Sequence, residues 1–306
     1  MYTSRFKYIV FTLSIVFIAL CSTSVEAVYK TNHKIGILMV GHGSRSAEWN
    51  KALIDLGENV SDSLSTNQHI SGFKTAFMEA TTPSVADALK KFDNEGYTDV
   101  IIVPIFLTLS SHVYEDIPVI CGLKNIPKTV KRLHEEGTEI YKPKAKVALA
   151  PQLDFSDVLQ HNVLRRVKAL STTPQEEGVV LVGYGDQEFM KSWTDLFKKV
   201  GDYVKDKSGI DKCTYAWCGH IVHYSSDPTT EAITDVLKSK KSALVIPVLV
   251  STDKTFQTTI IGGGIDAVPY ASDHVKYKAD SILPDPEVTH WVIDISQKIS
   301  RHILQN

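Results

Sequence analysis

The sequence predicts an α/β fold made of two tandem domains, each with a parallel sheet covered by helices on both faces. Short apolar runs rich in Val and Ile alternate with helical patterns, which is typical of buried parallel strands joined by helices. The alternating pattern also occurs twice along the chain. With 306 residues and 43% hydrophobic content, the chain is long enough for two globular domains of ordinary size.

The N-terminal residues have the pattern of a secretory signal peptide. Arg5 and Lys7 precede an apolar stretch at residues 8–20, and small or polar residues then lead to Ala27. The apolar stretch is short for a membrane span, although an uncleaved anchor stays open as an alternative. We therefore expect a mature chain that starts near Val28 and is exported, in bacteria to the periplasm. A membrane is a partner only if the segment is not cleaved.

Charge and cysteine content argue against two classes of protein. The net charge is −2 at pH 7, so there is no overall basic field to attract nucleic acid, and no nucleic-acid partner is expected. After the signal segment three cysteines remain, Cys121, Cys213 and Cys218, which is too few and an odd number for a disulfide framework. A single Cys213–Cys218 bridge stays feasible in an oxidising compartment.

The chain contains an internal repeat. Residues 35–43, IGILMVGHG, are similar to residues 178–185, GVVLVGYG. Residues 99–112, DVIIVPIFLTLSSH, are similar to residues 242–255, SALVIPVLVSTDKT. The offset is close to half of the expected mature length, which indicates a duplicated domain. The predicted boundaries are 1–27 for the signal peptide, 28–150 for an N-terminal domain with the catalytic residues and 151–306 for a degenerate C-terminal domain.

Two helical patterns follow the first two strands. Apolar residues recur every three or four positions from Trp49 to Leu64, which describes one face of a helix. A second helix is expected between Thr82 and Gly96, with Thr82 as its cap and Pro83 in its first turn. Ligands of such sheets bind outside the carboxyl ends of the strands, and two tandem domains leave a cleft there.

Three polar side chains stand at predicted strand ends. His42 follows the first strand, Glu79 ends the alternating run KTAFME, and His112 follows VIIVPIFL. Two imidazoles and a carboxylate suit a divalent first-row metal ion, and the same groups can accept protons near neutral pH. Each residue alone is more often an ordinary loop or capping residue. Their placement at equivalent strand ends is what favours a common site.

The residues after His42 indicate an anion contact. Gly43 belongs to a tight turn into a helix, and Ser44 and Arg45 are placed to bind a carboxylate at the helix N-terminus. The segment lacks the lysine of a phosphate-binding P-loop and the third glycine of a dinucleotide fingerprint. We therefore expect no organic cofactor.

Three blocks resemble the signature motifs of the sirohydrochlorin cobaltochelatases, in the class II chelatase superfamily: GHGSR, AFMEATTPSVADAL and VIIVPIFLTLSSHVYEDIP. The resemblance is specific over residues 35–122. It implies two Rossmann-like domains with a tetrapyrrole in the cleft between them. It also implies insertion of a divalent metal into sirohydrochlorin with release of two protons, as in cobalamin biosynthesis. His42, Glu79 and His112 match the family's metal-binding and proton-accepting residues.

The second copy departs from this pattern. Tyr184 stands in place of His42 and Thr255 in place of His112, so this copy is expected to shape the cleft without doing chemistry. It has its own cluster, Cys213, Cys218, His220 and His223. Such residues can bind a metal or an iron tetrapyrrole, or can be ordinary residues at a strand end.

Several choices stay open at this point. Co²⁺ is favoured by the resemblance, but Fe²⁺ and Ni²⁺ suit the same ligands, with the metal in each case a substrate. Sirohydrochlorin or a related tetrapyrrole is the expected partner. Because export is unusual for tetrapyrrole synthesis, an exported protein that binds haem, a corrinoid or the metal is a second hypothesis. Ferrochelatase activity on a porphyrin is a third.

Overall fold

Two parallel four-stranded sheets organise residues 33–305, the part of the chain that the computed structural model describes. The predicted signal peptide, residues 1–27, lies outside these residues. The first half has strands β1 (Ile35–Gly41), β2 (Gly72–Phe77), β3 (Asp99–Pro104) and β4 (Lys146–Leu149), and helices α1 (Ala47–Leu64), α2 (Val85–Asn94), α3 (Ile117–Ile120) and α4 (Pro127–Glu135). A π-helical turn, His112–Asp116, precedes α3.

The second half repeats this arrangement and adds a C-terminal helix. Its strands are β5 (Glu177–Gly183), β6 (Lys212–Trp217), β7 (Ser242–Val248) and β8 (Val275–Tyr277). Its helices are α5 (Val158–Leu170), α6 (Met190–Ser208), α7 (Asp227–Leu237), α8 (Gly263–Asp266), α9 (Ala271–His274) and α10 (Pro286–Gln305). Short 3₁₀ turns lie at Leu153–Phe155, Pro174–Glu176 and His220–Val222, and a π-helical segment at Thr255–Gly262.

Strand order and register are the same in both halves. The orders are β2-β1-β3-β4 and β6-β5-β7-β8, with all neighbours parallel. Val40 lies opposite Pro104 in the first sheet, and Val182 lies opposite Pro247 in the second. The predicted α/β class with parallel sheets and an internal repeat is therefore confirmed.

The two helical patterns are present, with one correction. The face of α1 that was predicted to be apolar is buried from Leu53 to Leu64. Helix α2, however, begins after Ser84, and neither Thr82 nor Pro83 belongs to it. The Ser84 hydroxyl accepts from Asp87 N–H while the Asp87 carboxylate accepts from Ser84 N–H, and this reciprocal capping box fixes the helix start.

The two halves share one hydrophobic core. One face of each sheet contributes to it, with residues such as Ile37 from β1 and Leu181 from β5 in the same cluster. Helix α10 reaches back from the second half to contact α1 and β3 of the first. The opposite faces of the sheets have separate cores. Among residues 33–305, no helix is both long enough and apolar enough to cross a membrane.

Candidate active site

The three predicted strand-end residues lie at one edge of the first sheet. Because β1 stands between β2 and β3, the segments that follow these strands meet at their common carboxyl edge. His42 directly follows β1, Glu79 comes just after β2, and His112 opens the π-helical turn after β3. The fold thus brings together residues from three separate parts of the sequence.

Gly43 makes the close approach of His42 and Glu79 feasible. Its φ is +93°, a conformation that side chains rarely adopt, and an added Cβ would lie 1.9 Å from the carbonyl oxygen of Glu79. On the other side of this contact, Glu79 N–H donates to the carbonyl oxygen of His42 at 3.0 Å. Gly43 is therefore required because the backbone after β2 packs directly against it.

The side chains of the three residues converge in pairs. His42 Nε2 lies 3.7 Å from Glu79 Oε1, and the His42 and His112 rings stand edge to face with centroids 4.7 Å apart. Across residues 33–305, no group of three or more His, Cys, Asp or Glu side chains is arranged as a ready metal site. The set is thus an open one, and its role in metal binding stays a prediction.

The two ring nitrogens of His42 have different surroundings. Its Nδ1 lies 2.8 Å from the Gly43 carbonyl oxygen, which can only accept, so Nδ1 carries the proton. Burial lowers the pKa of His42 below its ordinary value, and the neighbouring His112 lowers it further. In the neutral ring the lone pair is therefore on Nε2, the nitrogen closer to Glu79, whose side chain is 45% exposed.

His112 rests on a buried acid. Asp116 lies at the other end of the π-helical turn, is 1% exposed, and contacts His112 Nδ1 through Oδ2 at 2.8 Å. Its other oxygen accepts from Arg132 of α4. Sequence reasoning did not select Asp116, although its spacing from His112 is the one that places two side chains on one face of a helical turn.

The anion contact predicted at residues 43–45 is only partly available. Ser44 N–H donates to Asn50, and the Ser44 hydroxyl lies 3.4 Å from Asp253 of the second half. Ser44 is thus engaged within the protein. Arg45 is exposed beside it and, within the described residues, has no ion-pair partner. Among residues 33–305 no carboxylate holds its guanidinium, which can therefore contact a ligand.

The second half supplies two carboxylates to the loops around the site. Asp186, after β5, accepts from the Ser111 N–H at 3.2 Å and lies 3.3 Å from its hydroxyl, directly before His112. Asp253, after β7, faces Ser44. The first-strand loop of each half thus contacts the third-strand loop of the other. The repeat pointed to these loops, but only the fold shows that they meet.

The position equivalent to His42 belongs to an aromatic cluster, which we define as Tyr184, His220, Tyr224 and Phe256. The Tyr184 and Tyr224 hydroxyls lie 3.2 Å apart. The pKa of Tyr184 is raised, mainly by burial and by this hydrogen bond, with a smaller contribution from the charge of Glu79. The raised pKa keeps the Tyr184 phenol protonated at neutral pH.

The cysteine and histidine group of the second half does not converge. Cys213 of β6 packs against the shared core, whereas Cys218, the residue after β6, lies in the separate core of the second sheet. Both thiols are free, so the feasible Cys213–Cys218 bridge does not form. Burial raises the pKa of each to about 12, which leaves protonated thiols that are poor metal ligands.

Comparison with known proteins identifies the first half. Residues 36–170 match the CbiX family. The sirohydrochlorin cobaltochelatase of Methanococcoides burtonii is 39% identical over 110 residues, which cover 36% of this chain and 79% of that protein. The sirohydrochlorin cobaltochelatase of Saccharolobus solfataricus is 27% identical over 133 residues, covering 44% of this chain and 93% of the relative.

Solved structures match both halves. The sirohydrochlorin chelatase SirB from Bacillus subtilis subspecies spizizenii, in complex with cobalt, has a TM-score of 0.63 at 16% identity and covers 88% of this chain and 96% of its own. SirB from Bacillus subtilis with Fe³⁺ has a TM-score of 0.64 at 15% identity, covering 87% and 96%. At these identities the likeness concerns the fold. The resemblance drawn from the three motifs is confirmed, and the chain belongs to the CbiX family of sirohydrochlorin cobaltochelatases and is a metal chelatase.

Proposed function

We propose that this chelatase inserts Co²⁺ into sirohydrochlorin or a closely related tetrapyrrole, with release of two pyrrole protons. The observation that carries the proposal is the meeting of His42, Glu79 and His112 at one sheet edge. The names of the relatives support sirohydrochlorin as substrate. The similar SirB structures contain cobalt in one case and Fe³⁺ in another, so Fe²⁺ and Ni²⁺ belong in the same assay.

The histidines would deliver the metal ion. Neutral imidazole nitrogens replace water on a divalent first-row ion in steps, which lowers the cost of removing its hydration shell. An open set of ligands holds the ion more loosely than a closed four-ligand site, and a loosely held ion can pass on to the macrocycle. The lowered pKa of His42 reduces the competition between a proton and the metal ion for its nitrogen.

Glu79 would accept the protons that the macrocycle loses. Each of two pyrrole N–H bonds breaks as a nitrogen–metal bond forms, and the two negative charges left on the ring balance the charge of the ion. A carboxylate within reach of the reacting nitrogens lowers the barrier to proton transfer. Because the Glu79 side chain is 45% exposed, it can pass each proton to water.

The remaining groups would hold the substrate. Sirohydrochlorin carries many carboxylates, and Arg45, an exposed residue in the loop after His42, has a guanidinium that can bind them. The aromatic cluster of the second half offers apolar ring faces to a flat macrocycle. In this proposal the first half does the chemistry and the second half forms the opposing wall.

We also propose that the protein works outside the cytoplasm. The support is the signal-peptide pattern of residues 1–27. Fractionation of cells that carry the protein with a C-terminal tag tests this directly. The expected result is a periplasmic protein shortened at its N-terminus near residue 28, whereas a full-length cytoplasmic protein would contradict export.

The enzyme assay separates the three functional hypotheses. Purified protein is mixed anaerobically with sirohydrochlorin and Co²⁺, Fe²⁺ or Ni²⁺, and the visible spectrum is followed with the protein-free rate subtracted. We expect faster metal insertion with Co²⁺, and little with a porphyrin as acceptor. Tetrapyrrole binding without any rate increase would favour a binding protein, and insertion into porphyrin alone would favour a ferrochelatase.

Substitutions in the site then assign the roles. We expect His42→Ala and Glu79→Gln each to lower kcat by about 100-fold or more, since Gln keeps the shape of Glu79 but cannot accept a proton at neutral pH. Glu79→Gln is expected to keep most of the Co²⁺ affinity, whereas His42→Ala loses it. His69→Ala, at an exposed position on the α1–β2 connection, is the matched control and keeps the wild-type rate. Unchanged kcat in both site variants would contradict these roles.

A further inference from the structure

Asp116 occupies an unusual position for a charged residue. Its side chain is 1% exposed, and its two oxygens have different partners. Oδ2 contacts His112 Nδ1 at 2.8 Å, and Oδ1 accepts from an Arg132 nitrogen. Arg132 is held in turn by Glu136, which its second nitrogen contacts at 2.8 and 3.0 Å. A buried carboxylate is thus clamped between a guanidinium and the imidazole of the site.

This arrangement fixes which nitrogen of His112 carries the proton. A carboxylate bound to a guanidinium is ionised and can only accept, so His112 Nδ1 must donate. In the neutral ring, the form that can bind a metal ion, the lone pair is then on Nε2, the nitrogen on the side of the ring away from Asp116. His42 reaches the same state by another route, because its Nδ1 donates to the Gly43 carbonyl. Both imidazoles therefore offer Nε2 to a ligand.

Attachment of α4 does not depend on this ion pair alone. The Thr129 hydroxyl of the same helix donates to Glu115 at 2.6 Å, so a second hydrogen bond joins α4 to the π-helical turn. A purely structural Asp116–Arg132 pair would also have no need of the imidazole. The shared use of Asp116 points to a task for the carboxylate at His112.

We propose that Asp116, oriented by Arg132, is a positioning residue that locks the tautomer and ring orientation of His112 so that Nε2 receives the incoming metal ion. This inference rests on the proposed function for its purpose. The hydrogen-bonded state of the ring is measurable without any turnover. Partners of this kind behind a metal-binding histidine typically change metal affinity or activity by 10- to 100-fold.

Asp116→Asn tests this proposal because Arg132 determines the orientation of the new side-chain amide. Arg132 has only donors, so the Asn oxygen turns toward it and the NH₂ group faces His112 Nδ1. His112 must then carry its proton on Nε2, where it blocks metal binding. In Asp116→Asn/Arg132→Gln the amide is free to turn around, because Gln can donate or accept, and the original tautomer can return.

The readouts are ring ¹⁵N NMR of His112, Co²⁺ titration without tetrapyrrole, and steady-state kinetics. For Asp116→Asn we expect the proton to move from Nδ1 to Nε2, Co²⁺ to bind 10- to 100-fold more weakly, and kcat to fall by a similar factor with KM for sirohydrochlorin unchanged. The double variant should recover part of both losses. A structural role alone would not give this recovery.

Two outcomes overturn the inference: His112 keeps its proton on Nδ1 in Asp116→Asn, or this variant binds Co²⁺ as tightly as wild type. Thermal unfolding of each variant shows whether it is folded, and Asp116→Glu tests the position with the charge kept. If Asp116→Asn switches the His112 tautomer and weakens Co²⁺ binding, but the wild type never metallates sirohydrochlorin, the proposed function fails and the positioning role of Asp116 stands. If both the wild type and Asp116→Asn metallate sirohydrochlorin at the same rate, the proposed function stands and the positioning role of Asp116 fails.

Discussion

At the residue scale, the two imidazoles of the site affect one another. Their ring centroids are 4.7 Å apart, so a proton on His112 disfavours a proton on His42. The pKa of His42 is lowered for this reason and because of burial. The site therefore keeps His42 neutral at pH values at which an exposed histidine begins to take up a proton.

This electrostatic coupling predicts a shift on substitution. We expect His112→Ala to raise the pKa of His42, because the change removes the repulsion between protons on the two rings and lets water reach His42. Both effects have the same sign. An NMR titration of His42 gives the measurement, with His69 as an internal reference that should not move. A pKa of His42 that stays the same or falls further would contradict the coupling.

Gly43 gives a second prediction at this scale. We expect Gly43→Ala to displace Glu79 and to reduce kcat at least tenfold, since the new Cβ would lie 1.9 Å from the Glu79 carbonyl oxygen. Gly96→Ala is a matched control: φ is +75° there, but no heavy atom lies within 4 Å of the added Cβ. That control should lose only about 1 kcal/mol of stability and keep its activity. Equal effects of the two substitutions would show that backbone conformation alone matters.

At the scale of elements, a buried acid fixes the start of the central strand of the second sheet. Glu177, the first residue of β5, is fully buried and pairs with Lys276 of β8 at 2.6 Å. It also accepts from the Ser171 hydroxyl and the Thr172 N–H. These partners overcome the cost of burial and lower the pKa of Glu177 to about 2. The acid thus joins two strands and the end of α5.

A dependence of stability on pH follows from this lowered pKa. Above pH 4.5, the ordinary value, the folded and unfolded states are both ionised and the full stabilisation is present. It is lost as the pH falls from 4.5 toward about 2, because the unfolded state then binds the proton more readily. We expect Glu177→Gln to lower the free energy of unfolding by roughly 2 kcal/mol at pH 7. The decrease in stability between pH 4.5 and about 2 should also become smaller in this variant.

Chemical denaturation between pH 2 and 7 measures this effect. Glu176→Gln is the neighbouring control, because Glu176 is partly exposed and its ion pair with Lys241 is solvated. That substitution should change stability by less than about 1 kcal/mol. A Glu177→Gln protein with the stability and the acid limb of the wild type would contradict the assignment.

Sequence patterns predicted elements better than the contacts between them. The apolar runs located the strands, and the residues after β1, β2 and β3 correctly indicated one common edge. The predicted start of α2 was wrong because Thr82 and Ser84 are both good N-cap residues. Only the reciprocal hydrogen bonds with Asp87 show that Ser84 is the cap. The sequence left a Cys213–Cys218 bridge open, and the fold decides against it because the two thiols lie in different cores.

The sequence did not predict the role of Asp116 or the shared core, because both depend on which faces and side chains the fold buries. Strands such as β1 are buried on both faces, so their pattern does not show which face meets the other half. Asp116 is one of several polar residues in HVYED, and nothing in that run indicates that it is buried with Val113 while the other polar residues are not. Both features depend on tertiary packing.

At the scale of the whole molecule, the shared core joins the two halves into one unit. Residues 33–305 group together, and α10 packs across from the second half onto α1 and β3. We therefore expect one cooperative unfolding transition by calorimetry, with equal calorimetric and van't Hoff enthalpies. Two separate transitions, or a stable isolated first half, would instead describe independent domains.

The crossed contacts between loops have a consequence for how the halves recognise each other. At both contacts the first half offers hydroxyl or amide hydrogens, from Ser44 and Ser111, and the second half offers a carboxylate, from Asp186 and Asp253. If two copies of the second half docked in this manner, acid would face acid twice. The divergence of the duplicated halves has thus given them complementary surfaces, so that mismatched assembly is penalised by charge repulsion.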